Sequence, residues 1–406
     1  MQTLILSLIG LGFLSNLLEE ITHINKAKTT IFFGSLVWLL YFIDQSKSHA
    51  EITVAFDEAL LEIASLWLFL VATMTFVAYL NQRQVIAALV SRMLPSELKL
   101  RTLLFVLAHF AFVFSSIADN VTSTLVCLGL LIPLSLEQKV LLRCAVVVVF
   151  SVNTGGVALI TGDVTTLMVF MAGKVDISHL LRLILPAYIS VIVLVTLIAA
   201  PLKHSIRIAP QSYQLRRSDY LALTLFMCCI VAVLGLNIAY GVPPLLSFFV
   251  GLALLLMLIE WMHHEEDMMR NIRLIEFDAL FFFLGVLLMV GMLKQLGTLN
   301  YAVMLYDIMP ASSANYLLGV ASALIDNVPL TAALLHADIS LPTVDWISLV
   351  YAVGAGGSLL AIGSAAGVVA MSRIPALGFW AYLRFFPVIL TAYSVGYGLS
   401  VLIAKF

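Results

Sequence analysis

Twelve apolar stretches, most of them near or above 20 residues, constrain this chain more than any other feature. A helix needs about 20 consecutive apolar residues to cross a bilayer. Eight stretches are unbroken, at roughly 2–18, 29–44, 58–80, 180–200, 219–238, 244–260, 277–297 and 378–402. Polar or glycine-rich runs interrupt the other four: 103–134 at Asp119-Asn120, 139–171 around Asn153-Thr154-Gly155-Gly156, 312–337 at Asp326-Asn327, and 346–371 around Gly354-Ala355-Gly356-Gly357. Only 11% of the 406 residues are charged, against roughly 25% in a soluble domain, and the mean hydropathy is +1.09. The sequence describes a multi-pass protein whose solvent is the lipid bilayer.

The same composition sets other classes aside. A net charge of −2, with Lys and Arg scattered between apolar stretches, offers no face for nucleic acid. Cys127, Cys144, Cys228 and Cys229 lie inside apolar stretches at no metal-ligand spacing, so neither a zinc site nor disulfides are expected. The first apolar stretch has no basic start and no small-residue cleavage pattern, and reads as a retained helix.

Two of the interruptions repeat each other. Ser115-Ser116-Ile117-Ala118-Asp119-Asn120-Val121-Thr122-Ser123-Thr124 is echoed by Ser322-Ala323-Leu324-Ile325-Asp326-Asn327-Val328-Pro329-Leu330-Thr331, with Ser, Asp, Asn, Val and Thr at matching places. The glycine-rich runs align as well, Phe150 to Asp163 against Tyr351 to Ser364, without a gap. Basic loops at 83–101 and 201–217 read as cytoplasmic, and the weakly charged segments 172–179 and 338–345 suit the opposite side. All four fall on their sides if each Asp-Asn stretch is a hairpin returning to its own side and each glycine-interrupted stretch crosses once. The expected fold is an all-α integral membrane protein of about ten transmembrane helices plus two re-entrant hairpins, in two inverted-topology repeats with interrupted helices. Its parts are 1–57, N-terminal scaffold helices; 58–200, the first repeat; 201–276, a connecting loop and two scaffold helices; and 277–406, the second repeat.

A carboxylate at membrane depth costs roughly 2.5 kcal/mol or more by insertion scales, so two in equivalent settings mark a function. Backbone freed at a break is tolerated only where protein or a wet cavity surrounds it; Gly155, Gly156, Gly356 and Gly357 mark the expected helix breaks. The groups gathered there are hard oxygens: carboxylates of Asp119 and Asp326, amide oxygens of Asn120 and Asn327, and hydroxyls of Ser116, Thr122 and Thr154. Such oxygens suit a hard cation, Na+ held by Asp119 and Asp326 above all. No Arg or Lys lies within any of the four breaks, which favours a cation over an anionic substrate. A cation and a proton competing for the same carboxylates exchange for one another, and no cofactor is needed.

Ala118-Asp119-Asn120-Val121-Thr122, Thr154-Gly155-Gly156 with Gly162-Asp163-Val164-Thr165-Thr166, Asp326-Asn327-Val328-Pro329, and Gly356-Gly357-Ser358 with Ile362-Gly363-Ser364 resemble the NhaD-type sodium/proton antiporters of the ion transporter superfamily. Glu19-Glu20-Ile21-Thr22-His23-Ile24-Asn25-Lys26 is similar too, and Val157 to Thr161 departs from the pattern by lacking a Trp and a Pro. The resemblance implies extrusion of Na+ or Li+ against H+ entry, in the inner membrane of a bacterium, by a homodimer whose transport domain moves against a scaffold. Carried over by position, Asp119, Asn120, Asn153, Asp163, Thr165, Thr166, Asp326, Asn327, Ser358 and Ser364 are the site residues it implies.

Blander readings stand beside these. Asp119 and Asp326 as mere helix caps would use a costly carboxylate where Ser or Asn would serve. The glycine pairs as packing seams compete with the glycine pairs as breaks. His109 and His336 read as neutral packed side chains, His263-His264-Glu265-Glu266-Asp267 as solvated surface, and Glu62, Glu276 and Asp278 as interfacial. The rival transport reading is a related carrier of an oxyanion or dicarboxylate such as arsenite or citrate. A remote one is an intramembrane aspartyl protease, although Ile160-Thr161-Gly162-Asp163 lacks the first glycine of that motif.

Overall fold

The computed structural model describes the chain except residues 18–21, 23, 45–47, 94–96, 135, 203, 208–213, 263–274, 276, 299, 338 and 405–406. Glu19, Glu20, Glu276 and the run from His263 to Asp267 lie outside the described residues. Helices dominate. In chain order they are α1 (Gln2–Leu17), α2 (Lys26–Ile43), α3 (His49–Gln82), α4 (Val85–Met93), α5 (Leu100–Ile117), α6 (Asn120–Leu131), α7 (Gln138–Gly156), α8 (Val164–Met171), α9 (Ile177–Arg182) and α10 (Ile184–Ala199). There follow α11 (Arg217–Tyr240), α12 (Pro244–Met262), α13 (Phe277–Gln295), α14 (Asn300–Ile308), α15 (Ala311–Ile325), α16 (Asn327–His336), α17 (Thr343–Gly356), α18 (Ala365–Arg373), α19 (Phe379–Leu383) and α20 (Phe386–Ile403). Two three-residue strands, β1 (Glu97–Lys99) and β2 (Ser205–Arg207), pair antiparallel. Among the described residues nine helices are long and apolar enough to cross a membrane.

Helix ends depart from the apolar stretches where backbone geometry outweighs composition. α3 begins at His49, nine residues before the apolar run at 58, because a helix continues into the interfacial region, where its charged residues are solvated. The 180–200 stretch bends at Leu183 between α9 and α10, and the 378–402 stretch turns at Arg384-Phe385 between α19 and α20. The glycine pairs require a correction. Gly155, Gly156 and Gly356 are in helical backbone, and Gly357 caps α17 in right-handed geometry. The chain leaves the helix only after them, at 157–163 and 358–364. Space is what these positions need: a side chain on Gly155 would strike the Phe112 carbonyl of α5, and one on Gly356 the Gly319 carbonyl of α15. The first glycine of each pair is the seam against which a hairpin arm packs backbone to backbone, while the second, Gly156 or Gly357, faces the break, where the Gly162 or Gly363 carbonyl leaves no room for a side chain.

Contacts sort the loops into two ends. At one end β1 meets β2, Arg101 donates to the Leu202 carbonyl at 2.7 Å, and Arg143 donates to the Ile198 carbonyl at 3.0 Å. The start of α5 and the residues following α6 thus both sit beside the end of α10, so α5 and α6 double back. At the other end Asn315, early in α15, donates to the Asp345 carbonyl at 2.9 Å and to Ser348, at the start of α17, and Tyr397 donates to the Ser312 carbonyl. Lys174 lies 5.5 Å from the Trp346 ring at that same end. Helices α15 and α16 therefore also double back, opening the opposite way. The Arg83 guanidinium, 2.9 Å from Asp219, ties the end of α3 to the start of α11.

A second core joins α2 to α13. A side chain on Gly285 would strike the Thr30 and Ile31 backbone, and Trp38 Nε1 donates to the Leu288 carbonyl at 2.9 Å. If the basic loops face the cytoplasm, a single cysteine at Gln214 is labelled by an impermeant maleimide only from the cytoplasmic side, and one at Ser340 only from outside. Labelling of both from one side would overturn the hairpin topology.

Candidate cation site

Breaking a helix exposes up to four N–H groups on one side of the gap and four carbonyls on the other. Four chain interruptions meet at the centre of this fold, and polar side chains cap the N-termini they create. Asp119 caps α6, its two carboxylate oxygens accepting from Thr122 N at 2.9 Å and Thr122 Oγ1 at 2.6 Å. Asp163 caps α8, accepting from Thr165 N at 3.4 Å and Thr165 Oγ1 at 2.9 Å. Asp326 caps α16 by accepting from Val328 N at 3.4 Å, and Ser364 caps α18 by accepting from Gly367 N at 3.3 Å. The caps leave open oxygen lone pairs facing one another across the gap.

Equivalent serines fix both hairpins. Ser115 donates to the Val152 carbonyl at 2.8 Å, and Ser322 to the Val353 carbonyl at 2.9 Å, matching positions in the two halves. Cross-links then join the halves. Asn153 Nδ2 donates to Ser364 Oγ at 2.9 Å, and Asn327 Nδ2 donates to Asp163 Oδ2 at 3.1 Å. Asp119, Asn120, Asn153, Asp163, Asp326 and Asn327 line one cavity of about 40 Å³, walled on its apolar side by Leu70, Met74 and Phe282. That is room for a water molecule or a bare alkali cation.

The other residues singled out by sequence take supporting places. Thr122 and Thr165 hold the caps, and Thr166 donates to the Gly156 carbonyl at 3.4 Å. Thr154 Oγ1 is fully buried with no hydrogen-bond partner among the described residues, and it does not line the cavity. Ser358 turns away: its hydroxyl donates to the Ala355 carbonyl at 2.5 Å, and its own carbonyl accepts from Tyr382 at 2.6 Å. His109 packs against Tyr188 with 3.0 Å between Nδ1 and the phenol oxygen. His336 Nε2 lies 3.3 Å from Glu62 Oε2, and both side chains line a second cavity of about 430 Å³.

Two features escaped the sequence. Asp326 has φ +77° and ψ 145°, a strained conformation for a non-glycine residue that costs on the order of 1–3 kcal/mol and marks functional sites. The other is Lys26. No break contains a basic residue, yet the Lys26 ammonium arrives from α2 and lies 3.0 Å from Asp326 Oδ2, over the face of Phe282 at 4.3 Å. The only hint was its place in the N-terminal run already noted. With Asp119, Asp163 and Asp326 all ionised against one Lys26, the formal charge would be −3 + 1 = −2, and each proton taken up by a carboxylate would make it less negative.

A helical bundle with two doubled-back hairpins, two interrupted helices and an acidic central cavity is the architecture of a multi-pass membrane transporter. A family profile described as "Citrate transporter" matches residues 9–356. The chain is 30% identical over 425 residues to the Na(+)/H(+) antiporter NhaD of Vibrio cholerae, covering 95% of this chain and 88% of that one. It is likewise 30% identical to NhaD of Alkalimonas amylolytica, covering 92% and 85%, and to Sodium/proton antiporter 2 of Arabidopsis thaliana, covering 93% of each. The chain belongs to the NhaD family of the ion transporter superfamily. That membership removes the protease reading.

Asn327 carries the contact between the second hairpin and the first break, and a hydrogen bond to a charged group is worth about 1.5–3 kcal/mol. Asn327→Ala should therefore weaken the apparent sodium affinity by roughly tenfold or more, read from the sodium dependence of proton release in proteoliposomes. An unchanged affinity would make that contact irrelevant to the cation.

Proposed function

We propose that the protein extrudes cytoplasmic Na+, or Li+, in exchange for external H+, in the inner membrane of a bacterium, the two cations competing for the carboxylates of the central cavity. The observation that carries this reading is the cavity itself: three carboxylates and amide oxygens around a space of about 40 Å³ with a formal charge of −2. The relatives, named as sodium/proton antiporters from bacteria and a plant, support it. Asp119, Asp163 and Asp326 bind the ion or the proton, Asn120, Asn153 and Asn327 supply amide oxygens, and Thr122, Thr165, Thr166 and Ser364 hold these groups in place. The carbonyl ends of α5, α7, α15 and α17 add partial negative charge.

The opposed hairpins are read as two inverted repeats, with the α2–α13 core and α3 as part of a scaffold and the hairpins within a moving domain, in a homodimer. Protons enter from outside through the larger cavity. Glu58, Glu62, Leu66, Leu70 and Met74, four residues apart on one face of α3, lead from it to the central site.

Citrate or another dicarboxylate is the second reading, favoured by the description of the family profile and by Lys26. Three carboxylates set against a single ammonium weigh against it. A dye-reported pH change in inverted vesicles on adding sodium, lithium, potassium or citrate separates the two. Dissipation of the gradient by sodium and lithium alone is expected, and a response to citrate would overturn the proposal.

Asp326→Asn should abolish sodium-induced proton release in proteoliposomes. Asn has nearly the same size and shape as Asp, so the tip is strained no more than in wild type and the loss reports on charge. Asp119→Asn should do the same, and intact sodium binding in calorimetry would reduce Asp119 to a cap. Because protons occupy the same oxygens, the sodium concentration for half-maximal exchange should rise as pH falls, by up to about tenfold per unit below the macroscopic pKa of the site. A sodium requirement independent of pH would exclude direct competition.

A further inference from the structure

The Lys26 ammonium occupies the place where a cation ligand of Asp326 would sit. Its backbone is anchored firmly. Lys26 is the first residue of α2, and the cap before it, Asn25, accepts from Ala27 N at 2.8 Å and donates to Asp278 Oδ2 of α13 at 2.8 Å. Behind it α2 and α13 are joined at Gly34 and Gly285 with no room for a side chain. From this base the lysine stem crosses the Phe282 ring and places Nζ 3.0 Å from Asp326 Oδ2, with the lysine side chain 14% and the carboxylate 9% exposed. Asp326, by contrast, belongs to the strained tip between α15 and α16 and makes no interhelical contact to its own half through this oxygen among the bonds that hold it.

We propose that Lys26 is a tethered competitor for the transported cation, its ammonium holding the Asp326 carboxylate when no sodium is bound and being displaced when sodium binds. The inference rests on the reading of Asp326 as a cation ligand. Two positive charges cannot share one buried carboxylate oxygen without mutual repulsion, so sodium binds with its intrinsic affinity reduced by the work of displacing the ammonium. The same pair ties the α2–α13 core to the hairpin tip. An empty site is therefore clamped to the core, and sodium binding releases the clamp.

Lys26→Met keeps the stem over Phe282 and removes the charge. In purified protein in proteoliposomes at a fixed alkaline pH, it should lower the sodium concentration for half-maximal exchange by roughly tenfold and increase sodium-dependent thermal stabilisation. An unchanged or raised value in folded Lys26→Met overturns the proposal, since a lysine that merely positions Asp326 would weaken sodium binding when lost. Lys26→Arg is the second arm. Its planar fork grips a carboxylate through two bonds, so the half-maximal sodium concentration should rise above wild type; a value equal to wild type likewise overturns the proposal, even if Lys26→Met does not fold. The underlying reading fails separately: Asp326→Asn with wild-type sodium affinity removes Asp326 from the site, whereas loss of sodium binding in Asp326→Asn with no effect of either Lys26 variant removes only the competition.

Discussion

Interrupted helices in hydrocarbon have to satisfy their own broken ends, and that requirement organises this molecule. Each break exposes N–H groups and carbonyls that would cost several kcal/mol apiece if left facing lipid. Here they face one another. Asp119, Asp163, Asp326 and Ser364 cap the N-terminal sides, while Ser116 and Thr166 donate to the Gly155 and Gly156 carbonyls at the end of α7. The breaks become tolerable only when gathered at one place, and the gathering itself makes the polar cavity.

Capping and ion binding make opposed demands on the same carboxylates. A cap is best when both oxygens are fully used, and a carrier is best when a ligand can leave. The three aspartates divide along this line. Both oxygens of Asp119 are engaged by Thr122, and Asp163 is held by Thr165 and by Asn327 of the other half. Asp326 has one long cap bond and a lysine on its second oxygen, on a backbone held at φ +77°. The least satisfied and most strained of the three is also the one reached from a helix outside both hairpins.

Charge and size together distinguish substrates where either alone would not. A lysine beside a carboxylate is compatible with an anion carrier, and the absence of basic residues from the breaks had carried much of the argument for a cation. Lys26 removes that ground, and in its place stand three carboxylates set against one ammonium around a cavity of about 40 Å³. The glycine pairs show a similar exchange of reasons. Their alignment across the halves reflects the helix-packing seam, with Phe112 facing Gly155 and Gly319 facing Gly356, and the unwinding begins just beyond them.

The sequence by itself determined the helical membrane fold, the position of the long apolar helices and the two Asp-Asn tips, but not the short helices α4 and α14. Apolar run length and a buried carboxylate's cost are local properties, legible wherever the residues stand. It also held the pairing of equivalent positions, because a duplicated contact leaves duplicated residues. Only the tertiary structure decided that Asn327 reaches Asp163, that Ser358 turns away from the site, that His336 meets Glu62 and that Lys26 crosses from α2 to Asp326. These contacts join segments far apart in the chain, and nothing in a residue's own neighbourhood records which distant carboxylate its side chain will meet once the helices have packed.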